Sequence, residues 1–168
     1  MIQSVNPAPT DETDGLPMPR RIWAVISVGF ALCMSVLDVN IINIVLPTLS
    51  HDFGTSPAVT TWIINGYQLA IVVSLLSFSA LGEIIGYRKV YLSGIGLFCI
   101  TSLICALSDS FWTLTIARIF QGFSASAITS VNTAQLRYIY PKSQLGRGMG
   151  INAMVVAISL SLIHISEP

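Results

Sequence analysis

Two ionisable side chains stand deep inside long apolar runs of this chain: Asp38 within Ile22–Leu46 and Arg118 within Phe111–Leu136. A charge at mid-bilayer costs about 2.5–3.5 kcal/mol on insertion scales, so such residues are rare and mark substrate or ion paths. The chemistry open to the pair is proton uptake coupled to an ion pair. A carboxylate can take a proton while a guanidinium stays charged, so protonating Asp38 would free Arg118. The plainer reading is a fixed ion pair that only holds two helices together. Buried pairs are often no net gain over apolar packing, which favours a functional reason for keeping this one. Asn40, Asn43, Asn65 and Gln68 also lie in apolar runs, where they either line a cavity or hydrogen-bond between helices.

The elements that must position these groups follow from composition. Of 168 residues, 53% are hydrophobic and 10% charged, whereas a soluble domain carries about 25% charged residues. The chain belongs in a bilayer, and its formal charge of zero says nothing about partners. About 20 mostly apolar residues cross a bilayer as a helix. Four complete spans are expected on that basis: Ile22–Leu46, Thr60–Leu81, Val90–Leu107 and Phe111–Leu136, with a fifth opening near Gly148. Ser56-Pro57 reads as an N-cap followed by proline at the first helical position. Short connections make consecutive helices antiparallel neighbours.

Seven of the eight basic residues fall on one side of these spans: Arg20, Arg21, Arg88, Lys89, Arg137, Lys142 and Arg147; the eighth is Arg118. The positive-inside rule then places the N-terminus and the loops at 83–89 and 137–147 in the cytoplasm. Asp38 precedes Leu46 by eight residues and Arg118 follows Ser110 by eight. Each charge therefore sits about 12 Å below the outer surface, and the two are expected to face each other or a shared aqueous cavity. Cys33, Cys99 and Cys105 all fall in apolar spans and read as packing residues, not a disulfide framework. Residues 1–19 are polar, acidic and proline-rich, and are expected to form a disordered cytoplasmic tail. The span that follows is too long for a signal-peptide core and should stay in the mature protein.

Three local patterns converge on a family. Leu37-Asp38-Val39-Asn40-Ile41-Ile42-Asn43-Ile44-Val45-Leu46-Pro47 resembles the first-helix signature of proton-coupled drug exporters in the major facilitator superfamily. Leu81-Gly82-Glu83-Ile84-Ile85-Gly86-Tyr87-Arg88-Lys89 resembles that superfamily's loop between helices two and three. Leu114-Thr115-Ile116-Ala117-Arg118-Ile119-Phe120-Gln121-Gly122-Phe123-Ser124-Ala125 resembles its fourth-helix motif. The overall pattern, over about Arg21 to Ser159, is most similar to the fourteen-helix drug:proton antiporter branch.

The resemblance implies an all-α polytopic membrane bundle, the incomplete N-terminal half of a major facilitator fold. It implies that Asp38 and Arg118 take part in proton coupling. It implies a gating loop of Gly82, Glu83, Gly86, Arg88 and Lys89, in which the acidic residue sits beside a helix terminus of the opposite half-bundle. Glu83 stands where the family usually has Asp, Ser79 where the pattern usually begins with Gly, and Ile84 where Arg is common. Plain positive-inside anchoring is the alternative for Arg88 and Lys89. Arg118, Gln121 and Gly122 fall at i, i+3 and i+4 on one helix face. Gly122, Ser126 and Ser130 form a small-xxx-small row that admits a close helix neighbour. Asn43, Gln121, Gly122 and Ser126 are thus candidates for packing or cavity lining.

The last nine residues, 160–168, read LSLIHISEP and look like the translation of a transposase adapter end, so they are excluded from fold reasoning. The body, 20–159, is then the front of a longer transporter whose fifth-helix signature and opposite half-bundle are missing. The expected function is proton-coupled export of small amphipathic organic compounds. The rivals are another major facilitator porter for a metabolite and a small complete four- or five-helix membrane protein. Partners are the lipid bilayer, protons, the small-molecule substrate and the missing C-terminal half. The short loops point to a bacterial inner membrane. No cofactor, metal or nucleic-acid partner is expected. With no nucleophile–base set, CxxC, HExxH or GxxxxGK, an enzyme is not expected either.

Overall fold

Among the described residues, three helices start where a backbone amide finds a side-chain acceptor or where proline makes one unnecessary. The computed structural model describes residues 15–164. It holds α1 (Met18–Asp52), α2 (Pro57–Ile85), α3 (Tyr87–Ala106), α4 (Phe111–Ile139) and α5 (Leu145–His164), with one 3-10 turn at Lys142–Gln144. The Ser56 hydroxyl accepts from the Val59 amide, with Pro57 at the first helical position, as the sequence predicts. Ser110 caps α4 in the same way through the Thr113 amide. Pro47 lies inside α1, where its missing N–H leaves the Asn43 carbonyl without its usual helical partner.

The helices run past the apolar spans at the end that carries the basic residues, and this corrects two expected boundaries. The expected tail at 1–19 ends earlier, because Pro17 caps α1 and Met18 and Pro19 are already helical. Its residues 1–14 lie outside the described residues. Leu16 is tied down: its amide donates to the Ile139 carbonyl at 3.2 Å and its carbonyl accepts from Arg21 Nε at 3.1 Å. The expected loop at 83–89 is also mostly helix. Gly82 and Glu83 belong to the last turn of α2, Arg88 and Lys89 to the first turn of α3, and Gly86 alone joins them. Gly86 can do so because its φ of +99° is open to glycine and strained for any L side chain. The expected fifth helix opens at Leu145, slightly before Gly148, and continues through residues 160–164 of the adapter-like segment. Residues 165–168 lie outside the described residues.

α4 is the hub. It packs most extensively on α2 and α3 and also touches α1 and α5, while α5 lies mainly against α1. Ala125, Ala127, Ile128 and Val131 from α4 join Tyr67 of α2 and Val90, Tyr91 and Phe98 of α3 in one buried cluster. Among the described residues, α1, α2 and α3 are long and apolar enough to cross a membrane by composition. α4 does not meet that measure, although its 29 residues span about 44 Å. Its polar side chains explain this: Arg118, Gln121, Ser124, Ser126 and Asn132 are all buried against neighbouring helices instead of lipid.

The small-residue row supplies the close approach. A Cβ placed on Gly122 would stand 2.5 Å from the Tyr67 carbonyl oxygen and 2.9 Å from Ala70 Cβ. Ser126, one turn on, donates to the Ile71 carbonyl of α2 at 3.3 Å. The Ser130 hydroxyl instead bonds back to Ala127 of its own helix. Gly122→Ala should therefore lower stability by about 1–3 kcal/mol through overpacking. Gly96→Ala, at an exposed helical position with open space around it, should leave stability unchanged or raise it by up to about 1 kcal/mol. Thermal unfolding of both variants in detergent checks the contrast.

Candidate functional site

Antiparallel packing of α1 against α4 brings the two mid-helix charges together. Arg118 Nη1 donates to Asp38 Oδ2 at 2.7 Å, a charge-assisted contact across helices far apart in sequence. Gln121, one turn along α4, closes a triangle. Its Nε2 donates to Asp38 Oδ1 at 3.1 Å, and its Oε1 accepts from Arg118 Nη1 at 2.9 Å. Both carboxylate oxygens are thus engaged from a single helix face, the one on which the i, i+3 spacing places Arg118 and Gln121.

Two further helices complete the surround. Tyr67 of α2 lies with its ring face under the guanidinium, Arg118 Cζ being 4.6 Å from the ring centroid. Cys105 of α3 points its thiol at Gln121 Oε1 at 3.5 Å. Arg118, Gln121 and Tyr67 are buried to 3%, 1% and 1% exposure, while the Asp38 side chain keeps 19%. The carboxylate is therefore the one charged member that still reaches the outside of the bundle. Arg118 Nε and Nη2 are buried with no acceptor among the described residues. The guanidinium is held by one carboxylate, one amide and one ring.

The other sequence-nominated residues divide by place. Gly122 and Ser126 serve the α2–α4 contact beside the cluster and do not touch the charges. Asn43 is exposed on α1 outside the cluster, as are Asn65 and Gln68 on α2, while Asn40 bonds back to the Val36 carbonyl of its own helix. Gly82 is buried against Tyr87 and Val131. Glu83, Gly86, Arg88 and Lys89 are exposed at the far end of the bundle, and among the described residues Glu83, Arg88 and Lys89 form no ion pairs. Sequence reasoning missed Tyr67 and read Cys105 only as packing. A tyrosine in mid-span was the available signal, since tyrosines in membrane helices favour the interfaces.

A carboxylate, a permanent cation and a bridging amide form a site that can change charge by one proton while staying connected. Arg118→Leu would strand the Asp38 carboxylate with one amide and should cost up to about 3–5 kcal/mol. Adding Asp38→Asn to it should restore most of that loss, which a double-mutant cycle of thermal unfolding in detergent checks.

Comparison with known proteins bears on what such a site is for. The sequence model of the Major Facilitator Superfamily matches residues 28–163. The chain is 51% identical over 151 residues to the uncharacterized transporter YebQ of Escherichia coli (strain K12), covering 90% of this chain and 33% of YebQ. It is 32% identical over 140 residues to the riboflavin transporter RibZ of Clostridioides difficile (strain 630), covering 83% of this chain and 31% of RibZ. It is 32% identical over 127 residues to the drug efflux pump JefA of Mycobacterium tuberculosis (strain ATCC 25618 / H37Rv), covering 76% of this chain and 25% of JefA. The chain thus spans a third or less of the length of these curated relatives.

Proposed function

The chain belongs to the major facilitator superfamily, whose members are transporters, and from that premise we propose that it is the leading section of a proton-coupled exporter of small amphipathic organic compounds. The observation that carries this reading is the buried Asp38–Arg118–Gln121 triangle, whose carboxylate keeps access to the outside. In the proposed cycle, Asp38 takes a proton and its charge-assisted bond to Arg118 weakens. α1 and α4 lose their shared ion pair and are released to shift against each other. Loss of the proton to the opposite side restores the pair. Substrate moves against the proton, through a cavity that α1 and α4 share with the remainder of a longer protein.

The orientation proposed is an inner-membrane one, with the basic end and the N-terminus in the cytoplasm. The exposed Glu83 at the end of α2 and the Gly86 hinge then form part of a cytoplasmic gate against the opposite half-bundle, with Arg88 and Lys89 beside them. Relatives of this chain include a drug efflux pump at 32% identity, which supports export of organic compounds. A second reading, a metabolite porter using the same triangle, is favoured by the 32% identity to a riboflavin transporter.

In the full-length protein carrying this chain, Asp38→Asn should reach the membrane at parental levels, because asparagine keeps the side-chain shape and one acceptor for Arg118. Proton-driven ethidium efflux should fall to the level of cells lacking the transporter. Proton-driven efflux at the parental rate would sink the coupling role. A parent that moves riboflavin and leaves ethidium untouched would establish the second reading.

A further inference from the structure

Tyr67 has no part in the proposed proton cycle, yet its ring face lies directly against the permanent cation. Arg118 Cζ lies 4.6 Å from the ring centroid, and the ring is fixed there from two sides. The Tyr67 side chain is 1% exposed within the central core cluster, and its backbone carbonyl abuts Gly122 of α4, one turn beyond Arg118. The close glycine contact thus sets the height of the ring against the guanidinium. It lets α2 come near enough for a face-on approach.

We infer that Tyr67 is a positioning residue that holds the Arg118 guanidinium in place during the interval when Asp38 carries a proton. This rests on the proton-coupled reading of the same site. The titratable and charged groups around the guanidinium are Asp38 from α1, Tyr67 from α2 and Cys105 from α3, with Gln121 as the neutral bridge. While Asp38 is ionised, its carboxylate balances the cation. When Asp38 is neutral, the buried cation has only the ring face, the Gln121 amide oxygen and the uncharged Asp38 carbonyl oxygen left, because Nε and Nη2 have no acceptor among the described residues. An aromatic face attracts a desolvated cation through its quadrupole, and that attraction counts for most where no anion competes. The ring therefore stabilises the proton-loaded state more than the ion-paired one. It also keeps the guanidinium from swinging away, so that the pair can re-form when the proton leaves.

Removing the ring should make proton loading harder. Tyr67→Met keeps bulk and loses the aromatic face, while Tyr67→Phe keeps the face and loses the hydroxyl. In the full-length protein, the pH of half-maximal ethidium transport should move to more acidic pH by about 0.5–1 unit in Tyr67→Met, the size a desolvated cation–π contact provides. Tyr67→Phe should keep the parental profile. Should Tyr67→Met fail to accumulate, phenylalanines bearing one, two and three ring fluorines at position 67 weaken the face at nearly constant shape, and the shift should grow with fluorination. An unshifted profile in Tyr67→Met or across the fluorinated series would overturn the inference. So would a shift in Tyr67→Phe as large as in Tyr67→Met, which would assign the effect to the hydroxyl. A parent whose transport ignores pH overturns the coupling reading and this inference together. A pH-dependent parent with an insensitive position 67 overturns only the role of the ring.

Discussion

Placing the Asp38 carboxylate and the Arg118 guanidinium at the same depth of one bundle is the constraint to which most of this structure answers. Neither charge is tolerable alone in an apolar span, and the pair is tolerable only with good geometry and further hydrogen bonds. Gln121 supplies those bonds, engaging the second carboxylate oxygen and a guanidinium hydrogen at once. Because the two acceptor oxygens and the donors lie on α1 and α4, these helices must pack with their polar faces together. The other polar positions of α4, Ser124, Ser126 and Asn132, must then be covered by something other than lipid.

That covering explains the architecture around α4. Its polar and small residues would be poor company for acyl chains, and α2 and α3 take their place on two sides. Gly122 and Ser126 admit the α2 backbone, while Gly94 of α3 meets Ala127 and Ile128. Most of the exposed apolar surface falls on α1, α2 and α3, which carry Phe30, Leu69, Val72, Leu76 and Leu103. The polar face of α4 is thus enclosed by apolar helices, while Trp112, Ile116 and Phe120 stay exposed on its other face. In a membrane, where helix association lacks a hydrophobic drive, close contacts at small residues and interhelical hydrogen bonds carry the packing.

The same arrangement separates a rigid part from a changeable one. The α2–α4 and α3–α4 contacts are backbone-close and depend on volume, so they respond little to protonation. The α1–α4 contact carries the Asp38–Arg118 ion pair, which the proposed protonation of Asp38 would alter. At the basic end, Arg21 reaches Gln144 at 3.1 Å and Tyr91 reaches the Ser27 carbonyl at 3.1 Å, tying α1 to its neighbours by neutral acceptors. A shift of α1 after loss of the ion pair would then be largest near Asp38 and smallest at that end.

Much of this was legible in the residues alone. Apolar run length located the helices, and equal spacing of Asp38 and Arg118 from the Leu46 and Ser110 ends placed the charges at one depth, because rise per residue in a helix is constant. The Ser56-Pro57 cap was readable because capping is local chemistry. Helix ends beyond the apolar runs were not, since polar residues such as Glu83 and Arg88 are compatible with helix or loop, and only the single hinge at Gly86 decides between them. The tertiary structure alone settled that Gln121 bridges both charges while Asn43 stands outside the cluster, and that Tyr67 faces the cation. Depth along a helix follows from counting residues, whereas the direction each side chain faces across helices depends on rotation and packing, which no single span encodes.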